Sequence, residues 1–410
     1  MTIDPEPALE TRLSMQDPLA PTDELFARFR SGLGERLHFA AHSHHWWPDA
    51  ARAAHMAAYD LAEQHADQKW EPIWSETLPE FRQHVARVLG GTNERDLAVA
   101  PNVHELLLRL VSGLDAARPG RGPLRLLSSD AEFHSFTRQA RRWVEAGMAE
   151  WTQVPAEPFE TFPERFAEAL ASAPYDLAYV SHVFFDSGYV FREVFDILRG
   201  ARDETVCAVD AYHGFMAVPT DLTPVADRCF YLSGGYKYAM AGEGCCFMHC
   251  PPGIIERPVT TGWFAGFAAL SAEQADRVPY AEDGDRFLGA TFEPTPFFRF
   301  NAVQRALGAA GWDVPRIHAR VQALQGQFLE AVGAKRAGDL SLEQLVPGPN
   351  APERGHFLTF RRADASDRQR ALLDRGVVTD ARGDRLRFGF GLYHDSSAVE
   401  RLIERLAADF

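Results

Sequence analysis

The chain has 410 residues and a formal net charge of -15, with 46 % hydrophobic and 24 % charged residues. That length allows a large domain plus a smaller one, and the composition is ordinary for a soluble globular protein. The acidic balance argues against nonspecific nucleic-acid binding, which needs clustered Lys and Arg, and no apolar stretch reaches the roughly 20 residues that span a bilayer.

In chain order, residues 1–33 open with "MTIDPEPALETRLSMQDP", acidic and Pro-bearing, without an apolar signal core. They are expected to form an N-terminal arm. The segment 34–50, which contains "AAHSHHWWPDA" (40–50), follows and is expected to help bridge two domains. Between 79 and 250, short apolar runs alternate with helical patterns. Candidate strands are "DLAVA" (96–100), "LRLLSS" (124–129), "WTQVP" (151–155), "DLAYVSHVFF" (176–185), "TVCAVDAY" (205–212), "RCFYLSG" (228–234) and "GCCFMHC" (244–250). They are apolar over most of their length, as strands covered on both faces are. Helical patterns lie at "PEFRQHVARVLGG" (79–91), "HELLLRLVSGL" (104–114) and "SFTRQARRWVEAG" (135–147). The basic cluster "RQARRW" (138–143) reads as a solvated helix face. This alternation predicts an α/β fold with a mostly parallel, doubly wound sheet of seven strands.

The last quarter differs. A helical stretch at 316–332 leads through the loop "VPGPNAPERG" (346–355) to the strands "HFLTFRR" (356–362) and "LRFGFGLY" (386–393), with helices at 367–376 and 397–410. This predicts a small α+β domain over 301–410 and a large α/β domain over 34–300, with 34–60 open to assignment to either. The five cysteines, Cys207, Cys229, Cys245, Cys246 and Cys250, show no CxxC pairs and read as reduced, buried thiols of a cytoplasmic protein.

Four local features carry chemistry. Lys237 stands just beyond a predicted strand, in "YLSGGYKYAMAGEGCCF" (231–247). If buried, its pKa falls and it becomes a nucleophilic, imine-forming amine; otherwise it is a surface loop lysine. Asp210 ends a predicted strand, where carboxylates face the ligand crevice of open α/β sheets, or cap a turn. Asn102 is placed to cap a helix whose first amides, at Val103 and His104, suit a phosphate. Phe133 follows a strand and either lies flat on an aromatic ring or packs in the core.

In this order the features resemble the fold-type I pyridoxal 5'-phosphate (PLP) enzymes, in the class V aminotransferase and kynureninase branch. "VDAYHG" (209–214), "GYKYAMAGEG" (235–244), "TGWFAGF" (261–267), "DRFLGATFEPTPF" (285–297) and "LRFGFGLY" carry the likeness to kynureninase, which runs from about 38 to 408. The resemblance implies Lys237 as the Schiff-base lysine and Asp210 as partner of the pyridine nitrogen, with His213 beside it and Phe133 stacked on the ring. It places the amides of Val103 and His104, with Ser135, Ser233 and Tyr236, at the phosphate. Tyr236 also assists proton transfer, and Arg387 forks onto the substrate α-carboxylate. Trp263, and with it Thr291, would serve a site formed at a homodimer interface. His182 is expected near the cofactor's phenolic oxygen. The small residues around Lys237 are expected to clear space for a planar cofactor.

The chain departs from the kynureninase pattern at three places, which bear on substrate more than on cofactor. "EFHSF" (132–136) replaces a Phe-Pro-Thr run. The stretch from Arg387 to Tyr393 is one residue shorter. The cluster His42, His44, His45, Trp46 and Trp47 replaces a Ser-Leu-Gly-type turn. His42 and His44 are expected at the substrate, in structural hydrogen bonds or, least favoured, at a metal; no metal site is assigned. The function expected is kynureninase-like hydrolytic Cβ–Cγ cleavage of kynurenine or a related amino acid, with a class V aminotransferase, another PLP lyase, or a non-catalytic PLP-fold dimer as alternatives. A cysteine desulfurase is disfavoured, since no cysteine follows Cys250.

Overall fold

The computed structural model describes residues 19, 22–114, 122–269 and 277–408; most of the expected arm, 1–18, lies outside them. The first strand, β1 (Leu37–His38), is two residues long. Seven strands follow: β2 (Leu97–Ala100), β3 (Leu124–Ser129), β4 (Ala149–Val154), β5 (Leu177–Ser181), β6 (Val206–Asp210), β7 (Cys229–Gly234) and β8 (Cys246–His249). They form one sheet in the order β2-β8-β7-β6-β5-β3-β4. Strands β4, β3, β5, β6 and β7 pair in parallel, while β8 runs antiparallel to both β7 and β2. All seven correspond to apolar runs in the sequence, with ends shifted by a few residues.

Alternation along these strands shows why the runs are continuous. In β6 and β7, Cys207, Val209, Cys229 and Tyr231 enter one core, and Ala208, Phe230 and Leu232 enter the core on the opposite face. Helices on both sides cover the inner strands, which leave no face for polar residues, while the edge strand β4 keeps Glu150, Thr152 and Gln153 exposed. β3 has β4 on one side and β5 on the other, and the chain changes direction across the sheet there. Ligands of open α/β sheets bind beyond the carboxyl ends of strands at such a point.

The second sheet is antiparallel, in the order β12-β13-β10-β9, formed by β9 (Leu345–Val346), β10 (Phe357–Arg361), β12 (Asp380–Arg382) and β13 (Arg385–Gly389). β11 (Val377–Val378) pairs in parallel with β1. The core here contains Leu324, Phe328, Phe360, Phe388 and Leu402, and also Leu37 and Phe39 from near the start of the described chain. We propose that the chain divides into a large unit around the seven-stranded sheet and a small unit around β9–β13, with β1 in the small one.

The longer helices that the sequence pattern does not show are Asp49–His65, Phe162–Ser172 and Thr295–Ala309. The first buries only Ala51, Ala54 and Ala58, so its inward face hardly differs in hydropathy from its outward one. The third buries Arg299 and Asn301 beside its phenylalanines, which blurs the amphipathic stripe.

The junction between the sheets is rich in buried histidine. His45 donates from Nδ1 to Trp46 O at 2.7 Å and accepts Leu392 N–H at Nε2 at 3.0 Å. Its pKa is lowered to about 3, chiefly by burial, and that of His38 to about 4. An unfolded histidine binds a proton near pH 6.5, whereas the folded His45 does not. Stability from this group is therefore intact above about 6.5 and is lost progressively below it. At pH 5 one such group costs about 2 kcal/mol. The melting temperature is expected to fall between pH 7.5 and pH 5, and less steeply in His45→Gln. Equal falls in both proteins would count against the assignment.

Candidate active site

The carboxyl ends of β3, β5 and β6 open into a cavity of about 940 Å³. Register brings them level, with Ser181 paired to Asp210 and Asp210 to Leu232. Asp210 lines the cavity although it is itself buried. Tyr179 Oη donates to its Oδ2 at 2.8 Å and Tyr212 N–H to its Oδ1 at 3.0 Å. Burial raises its pKa, and those two donors and Lys237 oppose the rise. Among the described residues no cation forms an ion pair with it. A buried carboxylate served only by neutral donors is an incomplete arrangement that a cationic N–H would complete.

Lys237 is 5 % exposed and lines the same cavity. Its Nζ lies 2.6 Å from His213 Nε2. Burial lowers its pKa to about 7, with Asp210 opposing the fall and Arg387 adding to it. His213 is held well below the usual imidazole range, first by burial and then by Lys237, so its ring is neutral and its Nε2 accepts from the lysine. Three rings surround Nζ: Tyr212 at 5.1 Å, Phe133 at 5.4 Å and Tyr236 at 5.8 Å from their centroids. The loop after the lysine is fixed by Arg299, which donates from Nε to Ala241 O and from Nη2 to Glu243 O, each at 2.7 Å.

The glycines near Lys237 do not clear the cavity. A Cβ at Gly234 would lie 2.4 Å from Cys246 Sγ and 2.5 Å from Tyr212 Oη, and one at Gly235 would lie 2.2 Å from Cys245 Sγ. Gly242, at φ +73°, lies against the Trp47 ring. Their smallness lets neighbouring segments close up behind the lysine.

The helix Val103–Ser112 begins at the same cavity. Asn102 caps it, accepting Glu105 N–H at 2.9 Å, and Val103 and His104 line the cavity together with Ser135. The structure thus brings Val103, His104, Phe133 and Ser135 to the same space as Asp210, His213, Tyr236 and Lys237.

Other expected residues lie elsewhere. Ser233 points its Oγ to Ala211 O at 3.1 Å, inside the sheet. His182 is buried against Gly214, and its Nδ1 has no hydrogen-bond partner among the described residues. Following Ser181, it faces away from the cavity, as alternation dictates. Trp263, 45 % exposed, and Thr291 line a separate apolar groove with Trp70, Trp74 and Phe267. The histidine cluster diverges: His42 Nε2 approaches Asp380 Oδ2 at 3.5 Å, His44 Nε2 approaches Glu243 at 3.3 Å on the surface, and His45 turns to Leu392. Among the described residues no three His, Cys, Asp or Glu converge as a metal site would require. Arg387 is buried behind Phe185, which lines the cavity. It donates to Phe185 O from Nη1 and to Asp380 Oδ2 from Nη2.

Tyr212 and Glu132 were missed. Tyr212 sits between Asp210 and His213 in "DAYH", and that position was the available signal. Glu132 is buried behind the cavity, accepts from Ser181 N–H at 3.2 Å and from Ser181 Oγ, and is raised to about 7, first by burial and in part by Asp210. Nothing in an acidic residue before Phe133 marks it in sequence.

With this geometry in place, similarity to known proteins is informative. Residues 317–406 match the kynureninase C-terminal domain. In sequence the chain is similar to kynureninase, and its fold is that of PLP fold-type I structures. It is 24 % identical to kynureninase of Pseudomonas fluorescens, covering 92 % of this chain and 89 % of that one. It is 26 % identical to isopenicillin N epimerase of Streptomyces clavuligerus, over 81 % and 84 %. Among solved structures, the cystine C-S lyase C-DES superposes with a TM-score of 0.77 at 16 % identity, over 92 % of this chain and 98 % of the other. The cysteine desulfurase of Thermococcus onnurineus superposes at 0.76 with 17 % identity, over 97 % and 100 %.

PLP is the cofactor this architecture implies, and the residues of the cavity fit it. Among the described residues Asp210 has no cationic partner, Lys237 is an amine of lowered basicity, and a helix start lines the same cavity. In the cofactor-free protein, modification of Lys237 by cyanate is expected to rise with a midpoint near pH 7. Asp210→Asn removes the charge that stabilises the ammonium and should move that midpoint lower. A midpoint near the ordinary lysine value of about 10.4, read by peptide mass spectrometry, would contradict the burial argument.

Proposed function

We propose that the protein is a PLP-dependent enzyme acting on an amino acid, with kynureninase-like hydrolysis of a Cβ–Cγ bond as the reaction the site supports best. The observation that carries this reading is the buried Lys237 sharing one cavity with the buried Asp210. When bound, PLP supplies an electron sink for the pair released at the substrate α-carbon.

The chain's own groups do the rest. Asp210 holds the cofactor's ring nitrogen in its protonated form, and Tyr179 and Tyr212 keep that carboxylate oriented. Lys237, with a pKa of about 7, is populated both as amine and as ammonium at neutral pH. One nitrogen can therefore take the α-proton and return a proton. Tyr236 is pushed up to about 12 by burial, so it stays a phenol and acts as a donor, toward the phosphate or a developing carbanion, rather than as a base. Val103, His104 and Ser135 would hold the phosphate, and Phe133 would lie against the ring. Arg387 receives the substrate carboxylate. A homodimer completes the site: the apolar groove containing exposed Trp263 and Phe267 is the surface a second copy covers, with Trp263 and Thr291 facing the partner's cavity. A second reading, an epimerase, has support from the Streptomyces relative, because a lysine poised near neutrality also suits proton removal and return at one carbon.

The PLP-loaded protein is to be given L-kynurenine, with anthranilate, alanine, keto acid and α-carbon inversion measured separately. Anthranilate and alanine in equal amounts are expected, and Lys237→Ala should lower the rate at least 10³-fold, in keeping with loss of both base and covalent anchor. Keto acid alone would make it an aminotransferase, and inversion alone an epimerase. Full activity in Lys237→Ala would remove the basis of the proposal.

A further inference from the structure

Arg387 is occupied. Its Nη2 holds Asp380 Oδ2, the cross-strand partner of Arg387 in the β12–β13 register, and its Nη1 holds Phe185 O. Its buried Nε has no hydrogen-bond partner among the described residues. Asp380 therefore uses one prong of the guanidinium fork and leaves the adjacent Nε free. Its other oxygen, Oδ1, already accepts from Arg382 Nη1 at 2.9 Å. The neutral ring of His42 stands 3.5 Å from Oδ2 and stacks on Phe357 at 4.8 Å.

We propose that Asp380 is an internal competitor at Arg387, which an incoming substrate carboxylate displaces toward Arg382, so that Asp380 sets how tightly the site holds carboxylates. This rests on the reading of Arg387 as the carboxylate receptor. The hydrogen bonds supply the donors and the alternative partner. A carboxylate approaching the Nε–Nη2 edge finds one free donor and one shared donor, the bidentate arrangement guanidinium favours. Asp380 then keeps a cation, because Arg382 is already bonded to its second oxygen, so displacement leaves no buried carboxylate stranded. In the absence of substrate, Asp380 satisfies a guanidinium that is only 4 % exposed and would otherwise be a desolvated charge without a counter-ion. Binding is an exchange of one carboxylate for another, and the fraction of protein with Arg387 released scales the apparent affinity. Asp380 acts through Arg387 and is a positioning and specificity residue.

The test uses 3-phenylpropanoate, a carboxylate without an amine, and its neutral amide as control. Both are titrated calorimetrically into the PLP-loaded wild type and into Asp380→Asn, Asp380→Ser, Asp380→Glu, Arg382→Gln and Arg387→Gln. The carboxylate is expected to bind about ten-fold more tightly to the Asn and Ser variants, as release of a nine-tenths occupied receptor requires. Asp380→Glu should stay near wild type, and the amide should be indifferent throughout. Arg382→Gln, which alters a half-exposed residue and removes the acceptor of the displaced carboxylate, should weaken binding even where an Asp380 variant fails to fold. Unchanged or weaker binding in the Asn and Ser variants, with Arg387→Gln still abolishing it, overturns the competitor role and leaves the receptor reading standing. So does wild-type affinity in Arg382→Gln. If Arg387→Gln binds the carboxylate as wild type does, or no protein prefers it to the amide, the receptor reading fails and the competitor role with it.

Discussion

The site depends on burying an amine and a carboxylate in one cavity without letting them neutralise each other. Placed in direct contact, Lys237 and Asp210 would form an ion pair, with the lysine pKa raised and the carboxylate satisfied. Instead Lys237 bonds to neutral His213, and Asp210 takes only a phenol and an amide N–H. Each feels the other's charge, but each remains incomplete. Desolvation then dominates, lowering the lysine to about 7 and raising the carboxyl. The energetic cost of this arrangement is met by the surrounding sheet, where two cores pack against opposite faces of β6 and β7.

The tyrosines show how the separation is kept. Tyr179 lies within β5, stacked on Phe136 at 4.0 Å, and its hydroxyl reaches Asp210 from the adjacent strand. Tyr212 bonds Asp210 through its backbone and presents its ring to Lys237. Its hydroxyl meets Cys246 Sγ at 3.2 Å, which ties the loop after β6 to β8. Glu132 adds a second carboxyl behind Asp210. With a pKa of about 7, it is populated in both protonation states near neutrality, so its charge opposes ionisation of Asp210 only in part.

How much of this was legible in the sequence follows from the kind of contact involved. Strands covered on both faces leave a one-dimensional trace, so the inner strands of the large sheet stood out. Lys237 and Asp210 were legible because a polar residue at the end of an apolar run needs a reason. β9, β11 and β12 were not, because two or three residues carry no period; they exist through pairing with β10, β1 and β13. The Ala-faced helix Asp49–His65 left no hydrophobic contrast. His182 and Ser233 were misjudged because a strand end shows which residues are near a site but not which face they take. The two alternate, and Ser181 and Val183, the neighbours of His182, face the cavity instead.

Arg387 shows the remaining limit and its physical origin. A fork-shaped cation on a late strand is readable as a carboxylate receptor, yet its counter-ion is set by cross-strand register. Asp380 lies seven residues earlier, on a three-residue strand, and comes level with Arg387 only because β12 and β13 pair antiparallel across a tight turn. The small sheet thus delivers a guanidinium already holding a carboxylate, while the large sheet delivers a lysine and an aspartate kept apart. In both halves, charges that could be satisfied fully are satisfied only in part. What remains is the Nε of Arg387, the Nζ of Lys237 and the carboxyl of Asp210, three buried groups that the described residues satisfy only in part.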